Sequence, residues 1–181
     1  MRKELRLTGS GGQGLILAGI ILAESVIKNG FNAVQSQSYG PEARGGASKS
    51  EVIISNRDIN YPKVNDPDLL LCLTQKSFDK YAKNMKKKSI LLVDSCVNIG
   101  DNIDTDFCYK IPIIDTAKEK IGKQMVSNIV ALGAIKELIE DIKDESLKEA
   151  ILARVPQGSE HLNIKAFDEG KMLIKNILNR S

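Results

Sequence analysis

"ELRLTGSGGQGLILAGIILAESVIKNG", residues Glu4 to Gly30, decides the fold. Glu4 to Leu7 alternates polar and apolar side chains, the period of a strand with one buried face. A glycine-dense turn follows, with Gly9, Gly11, Gly12 and Gly14 in close succession. Leu15 to Lys28 is rich in Leu, Ile and Ala, with Glu24 and Lys28 at helical spacing, and Asn29-Gly30 supplies C-cap chemistry. Phe31 to Ser36 then reads as a second strand. Strand, glycine turn, helix, strand is the order of a βαβ unit.

Further along, Gln37 to Ser48, "QSYGPEARGGAS", reads as a loop, and Glu51 to Ser55 as a third strand. Leu69 to Leu73 and Ile90 to Val93 are continuous apolar runs, the mark of strands buried on both faces. Phe107 to Ile111 is a further strand, closed by Pro112. Helices are predicted over Ser77 to Met85, Thr116 to Ile121, Met125 to Ile139 and Leu147 to Ala153. A last one starts at His161 or Asn163 and runs to about Leu178. The expected fold is α/β: a Rossmann-like, mostly parallel sheet with helices on both faces, a single domain over residues 1–181.

The chain has 181 residues, 42% of them hydrophobic, which suits one compact core. Aromatics make up 4%, with no Trp, and the formal charge is only +3. Neither the stacking platforms nor the basic field of a nucleic-acid binder is present. The apolar run Leu15 to Ala23 is too short for a membrane span and lacks a signal-peptide layout, so the expectation is a soluble, cytoplasmic protein without membrane contact. Cys72, Cys96 and Cys108 form no metal-binding or redox pair, which points to structural thiols in a reducing compartment and away from an iron–sulfur cluster on this chain. His161 is the single histidine and reads as a surface residue.

Gly9-x-Gly11-x-x-Gly14 sits between a strand and a helix, where bare backbone lets an anion approach the free N–H groups of the helix start. Thr8, Ser10 and Gln13 add side-chain donors. The plainer alternative is that the loop packs backbone against backbone. Two familiar sites fit poorly. A Walker loop needs Lys-Ser/Thr after the last glycine, and Leu15-Ile16 stand there. An NAD site wants an acid ending the second strand, and that region reads Val34-Gln35-Ser36-Gln37, although a glutamine can still bond a hydroxyl. A stand-alone NAD- or FAD-binding oxidoreductase domain is therefore the second reading.

"YGPEARGG", Tyr39 to Gly46, is the other dense segment. It should leave the sheet at the same carboxyl edge as the glycine loop, where ligands gather in open α/β sheets. Arg44 would clamp a phosphate or carboxylate there; alternatively Glu42 and Arg44 pair with each other or with a partner chain, or the segment is a solvated turn. Asp94, ending a buried strand at that edge, is either a site residue or a turn cap.

These pieces, "TGSGGQG", "QSQSYGPEARGGASKSEVIIS", "DPDLLLCL" and "SNIVALGA", taken in this order, resemble the gamma subunit of 2-oxoacid:ferredoxin oxidoreductases, the pyruvate/ketoisovalerate oxidoreductase gamma family. The likeness spans nearly the whole chain, and the wording of the second segment is most similar to the 2-oxoglutarate type. The indolepyruvate enzyme's corresponding subunit is a cousin. The resemblance implies a subunit of an enzyme that decarboxylates a 2-oxoacid, reduces ferredoxin and delivers the acyl group to coenzyme A. It implies thiamine diphosphate, Mg and iron–sulfur clusters on partner subunits of alpha, beta and delta type, with this chain inactive alone and prone to self-associate as a homo-oligomer. Carried over, Gly9, Ser10, Gly11, Gly12, Gln13 and Gly14 would meet the nucleotide or pyrophosphate of coenzyme A, with Tyr39, Glu42 and Arg44 on the neighbouring loop. Asn128, in the segment matching the family's Ala-Asn, would cap a helix or face a partner. A purely structural assembly role is a third reading.

Overall fold

The computed structural model describes residues 1–38, 47–83, 85–100 and 103–179. Six strands form one sheet: β1 (Arg2–Ser10), β2 (Asn32–Ser38), β3 (Ala47–Ser55), β4 (Leu69–Cys72), β5 (Ile90–Asp94) and β6 (Phe107–Ile111). Their spatial order is β2-β3-β1-β4-β5-β6. β1, β4, β5 and β6 pair in parallel, and β3 runs antiparallel to both neighbours. The helices are α1 (Leu15–Ile27), α2 (Gln75–Tyr81), α3 (Ile113–Asp115), α4 (Ser127–Leu138), α5 (Asp144–Leu152) and α6 (Glu160–Leu178). The mostly parallel α/β sheet with helices on both faces is the architecture expected.

The opening unit differs from the expectation in one respect. β1 and β2 run the same way, but they are not neighbours. β3 lies between them, paired with β1 from Arg2↔Ser55 to Ser10↔Ala47 and with β2 from Asn32↔Ser55 to Ser38↔Lys49. The reason is burial: β3 is shielded along almost its whole length, so its backbone must be paired on both edges. The strands also absorb Gln37, Ser38, Ala47 and Ser48, which sequence pattern assigns to the loop.

Strand alternation sorts the core into two layers. Leu5, Leu7, Leu69, Leu71 and Leu92 face the larger one, with α1, α4, α5 and α6. Leu70, Cys72, Leu91 and Val93 face the smaller one, with Phe78 and Ala82 at α2. On that second face Arg6 and Glu51 are opposite each other in the β1–β3 ladder, 2.7 Å apart and largely buried. Arg6 also donates to the Val64 carbonyl, and its guanidinium lies 5.7 Å from the Tyr81 ring centre.

Helix ends move for local reasons. α2 starts before Ser77 because Thr74 and Ser77 form a reciprocal capping box, and it stops well before Met85. α5 takes in Asp144 and Glu145, acids that suit the positive pole of a first turn. The predicted helix over Thr116 to Ile121 is a π-type turn that continues α3. α6 begins at Glu160 behind Ser159, so neither His161 nor Asn163 starts it; Asn163 donates back to the Ser159 carbonyl at 2.9 Å. No helix among the described residues is long and apolar enough to cross a membrane.

α4 lies in the centre, buried from Ser127 through Ile135, and crosses α6 at two glycines. A Cβ on Gly133 would stand 2.0 Å from the Phe167 carbonyl oxygen, and one on Gly170 only 1.9 Å from that of Val130. Backbone meets backbone here, so neither side can yield cheaply. Gly133→Ala and Gly170→Ala are each expected to destabilise the chain by about 1–3 kcal/mol, the usual penalty of overpacking. Thermal unfolding of the purified chain should show it as a drop of several degrees, roughly 2–4 °C per kcal/mol at this size. A wild-type melting temperature would mean the helices are not in this contact.

Candidate functional site

β1 ends at Gly9 and Ser10, the chain turns through Gly11 and Gly12, and Gly14 is the N-cap of α1. Gly12 and Gly14 have φ of 85° and 70°, the left-handed region that side chains disfavour. The loop closes on itself. The Ser10 N–H donates to Gln13 Oε1 at 2.7 Å, and the Gln13 N–H donates to the Ser10 carbonyl at 3.4 Å. A Cβ on Gly9 would fall 2.2 Å from that same Oε1, so the closure needs a bare residue at 9.

The first intrahelical bond of α1 runs from the Ala18 N–H to the Gly14 carbonyl at 3.0 Å. The N–H groups ahead of Ala18 have no intrahelical acceptor, no side chain caps them, and no acid occupies the first turn. They stand at the carboxyl edge of a mostly parallel sheet, with the positive end of the helix dipole behind them. A cavity of about 440 Å³ opens beside them, lined among others by Ser10, Gly12, Gln13, Ile16, Ile20 and Ser48. No described lining residue carries a formal charge. The arrangement offers an anion backbone donors and a dipole, with apolar surface from α1 alongside. A somewhat larger cleft, about 510 Å³, lies on the α2 face, lined by Phe78, Asp79, Ala82, Lys83, Gly100 and Ile103. It meets the C-terminal half of α2, where the dipole repels anions, so the glycine-loop cavity is the better candidate.

A second helix reaches the same point. Asn128, at the start of α4 and 4% exposed, donates from Nδ2 to the Gly14 carbonyl at 3.2 Å. Its Oδ1 accepts the Ile129 N–H at 3.0 Å. The sequence reading offers a helix cap or a partner contact for this residue. Val126 holds the N-cap position of α4, and Asn128, inside its first turn, ties α4 to the glycine loop. Nothing in periodicity marks that tie, because the two residues are 114 positions apart.

Other sequence assignments change too. Thr8 is fully buried, its hydroxyl donating to the Leu71 carbonyl at 2.6 Å with Cys72 Sγ 3.4 Å away, so it is not a ligand donor. Gln13 serves through its amide oxygen as an internal acceptor, holding the loop shut. Ser10 is half-buried and lines the cavity. Asp94 is the turn cap: Oδ1 accepts the Cys96 N–H at 2.9 Å and Oδ2 the Ile114 N–H at 2.8 Å. Tyr39, Glu42 and Arg44 lie outside the described residues. The strands leading to and from them do end beside the glycine loop, since Ser38 pairs with Lys49 and Ser10 with Ala47.

The NAD reading meets a geometric obstacle. The dinucleotide fold places the end of its second strand next to the first; here β3 intervenes, which sets β2 two strand spacings, roughly 9–10 Å, from β1. Gln35, the residue standing where the acid is missing, donates to Ser50 Oγ at 3.0 Å. Among the described residues no group of three His, Cys, Asp or Glu could hold a metal ion. Cys72 is in the core, where burial pushes its thiol up to about 11. Cys96 is raised to about 11 by desolvation, with the Asp94 carboxylate beside it adding to the shift. Cys108, exposed on β6, is shifted upward as well, mainly by desolvation.

An α/β chain with a glycine loop opening on an uncharged cavity at its sheet edge is the class these features define. Residues 4–173 match the pyruvate ferredoxin/flavodoxin oxidoreductase family. The chain is 48% identical over 180 residues to the 2-oxoglutarate synthase subunit KorC of Methanocaldococcus jannaschii, across 98% of this chain and 96% of that one. A solved structure, the keto/oxoacid ferredoxin oxidoreductase gamma subunit from Geobacter sulfurreducens, superposes with a TM-score of 0.88 at 45% identity, covering 97% of this chain and 98% of that one. The fold also recurs in the 2-oxoglutarate:ferredoxin oxidoreductase of Magnetococcus marinus, with a TM-score of 0.87 at 24% identity, covering 97% of this chain and 31% of that longer one. The chain belongs to the pyruvate ferredoxin/flavodoxin oxidoreductase family, on its gamma-subunit branch.

The raised thiols make a direct test. Alkylation of Cys96 by iodoacetamide should keep rising about ten-fold per pH unit until near its pKa of about 11. A rate that levels off near the ordinary thiol value of about 8.5 would contradict desolvation, with the Asp94 contact, as the cause.

Proposed function

We propose that the chain is the gamma subunit of a 2-oxoglutarate:ferredoxin oxidoreductase, and that its glycine loop receives the phosphate-bearing end of coenzyme A. The observation that carries the site is the uncapped, acid-free start of α1 behind Gly9 to Gly14, opening on an uncharged cavity at the sheet edge. Kinship with KorC supports 2-oxoglutarate as the oxoacid. In this reading the partner subunits, of alpha, beta and delta type, hold thiamine diphosphate, Mg and iron–sulfur clusters, which supply decarboxylation and carry electrons to ferredoxin. This chain's described residues lack the donor set for a cluster or a metal.

What the chain contributes is binding. First-turn amides of α1 meet a phosphate, and Ile16 and Ile20 give the nucleotide an apolar wall. Ser10 and Gly12 form the rim, and Tyr39, Glu42 and Arg44 on the adjoining segment add polar contacts, with Arg44 suited to a second phosphate. Binding energy from this remote end holds the reactive thiol at the partner's acyl group, an advantage of position that raises kcat/KM.

A purely assembling role has one observation in its favour. α1 carries Ile16, Leu17 and Ile20 half-buried and Ile27 exposed, an apolar side suited to a partner chain. The two readings separate on one variant. Gly12→Val adds a β-branched side chain in the left-handed region, a strain of about 1–3 kcal/mol confined to the rim. In the assembled enzyme it is expected to raise the KM for coenzyme A about ten-fold, measured as coenzyme A-dependent reduction of a viologen dye with 2-oxoglutarate. Loss of the complex with an unchanged coenzyme A dependence in whatever remains assembled would favour the assembling role. A preference for pyruvate or a branched-chain oxoacid in the same assay would overturn the choice of substrate.

A further inference from the structure

We infer that Asn128 is the positioning residue of the cradle, a tie from another helix to the carbonyl of Gly14 at the start of α1. The inference rests on the coenzyme A reading above and names what holds that site in shape. The Gly14 carbonyl receives two donors, the Ala18 N–H at 3.0 Å and Asn128 Nδ2 at 3.2 Å. The first starts α1 and the second fixes the direction in which it starts. Gly14 stays at φ 70° with its bare face against the asparagine, where a Cβ would stand 2.5 Å from Nδ2 and 2.9 Å from Cγ. Turning Gly14 out of the left-handed region would swing its carbonyl away from both donors and re-aim the amides that follow.

The donor itself is held. Asn128 is more than nine-tenths buried, and its Oδ1 is committed to the Ile129 N–H at 3.0 Å. α4 is pinned to α6 where Gly133 meets the Phe167 carbonyl. The loop therefore takes its orientation from the most buried helix of the fold. α1 has no side-chain cap of its own to do this. Satisfying the start of α4 needs only an acceptor at 128, and an aspartate would serve. The bond to Gly14 needs a donor, and only an amide gives both. That difference separates a positioning role from an ordinary helix-start residue.

The test uses the assembled enzyme with Asn128→Asp and Asn128→Ala. The aspartate is isosteric and keeps the acceptor for Ile129, but it turns an oxygen toward the Gly14 carbonyl and puts negative charge beside the cradle. Coenzyme A affinity is read by equilibrium dialysis of labelled coenzyme A without oxoacid, and again as KM against kcat. Asn128→Ala is expected to weaken binding roughly five- to ten-fold, the effect of one lost hydrogen bond. Asn128→Asp should weaken it further, because its charge opposes the phosphate. In both, KM should follow the dissociation constant while kcat at saturating coenzyme A changes much less. Wild-type affinity in Asn128→Asp overturns the inference whatever Asn128→Ala does, and this variant decides alone if Asn128→Ala does not assemble. If Gly12→Val weakens binding and the Asn128 variants do not, the coenzyme A reading stands and the inference falls. If none of the three weakens it, the reading falls and takes the inference with it.

Discussion

The antiparallel ladder between β1 and β3 is the constraint from which the rest of the molecule follows. It runs the whole length of both strands, from Arg2↔Ser55 to Ser10↔Ala47. It gives β1 a partner on one edge while β4 takes the other, which makes β1 the interior strand from which the glycine loop springs. It separates β2 from β1 and so removes the crevice in which a dinucleotide's ribose would lie. It also brings the start of β3 against the end of β1, so that Ser48 reaches the cavity beside Gly12. The buried Arg6–Glu51 pair is a cross-strand contact of this same ladder.

At the edge so created, the proposed recognition would run through backbone. The described lining has no formal charge, and the attraction for an anion comes from oriented amides. Such a site depends on direction more than on charge, because a helix dipole acts only within its first turn. Its accuracy is inherited from packing: the sheet sets where α1 begins, and α4, buried in the core and packed against α6, sets how Gly14 is turned. Any cation that neutralises the remaining phosphate charge must come from outside these lining residues.

Much of this was legible in the residues. The alternation at Glu4 to Leu7, the four glycines and the Leu/Ile/Ala run named β1, its loop and α1, because each signal is local. The unbroken apolar runs named β4 and β5 as doubly covered strands. The place of β3 was not legible, since pairing is a choice among distant segments and "SEVIIS" suits either edge of β1. Side-chain roles were least visible. Thr8 has the chemistry of a ligand donor, yet it bonds the Leu71 carbonyl in the core, and the amide oxygen of Gln13 closes its own loop. Asn128 and Gly14 meet only once the α/β layers have closed, so no local pattern carries their contact. The resemblance to the oxidoreductase family was readable because two glycine-rich segments occur together in order, where either alone is common.

Cys96 sits in the turn after β5, on the carboxyl edge of the sheet, with the Asp94 carboxylate at its side. An enzyme that passes an acyl group to a small thiol must keep its own thiols out of the exchange. Only a thiolate attacks a thioester, and only a thiolate strips iron from a cluster. A cysteine held protonated up to about 11 does neither at cellular pH. Burial, with the Asp94 turn adding to it, thus keeps this sulfur chemically silent in a subunit of an enzyme whose reaction handles a thioester elsewhere.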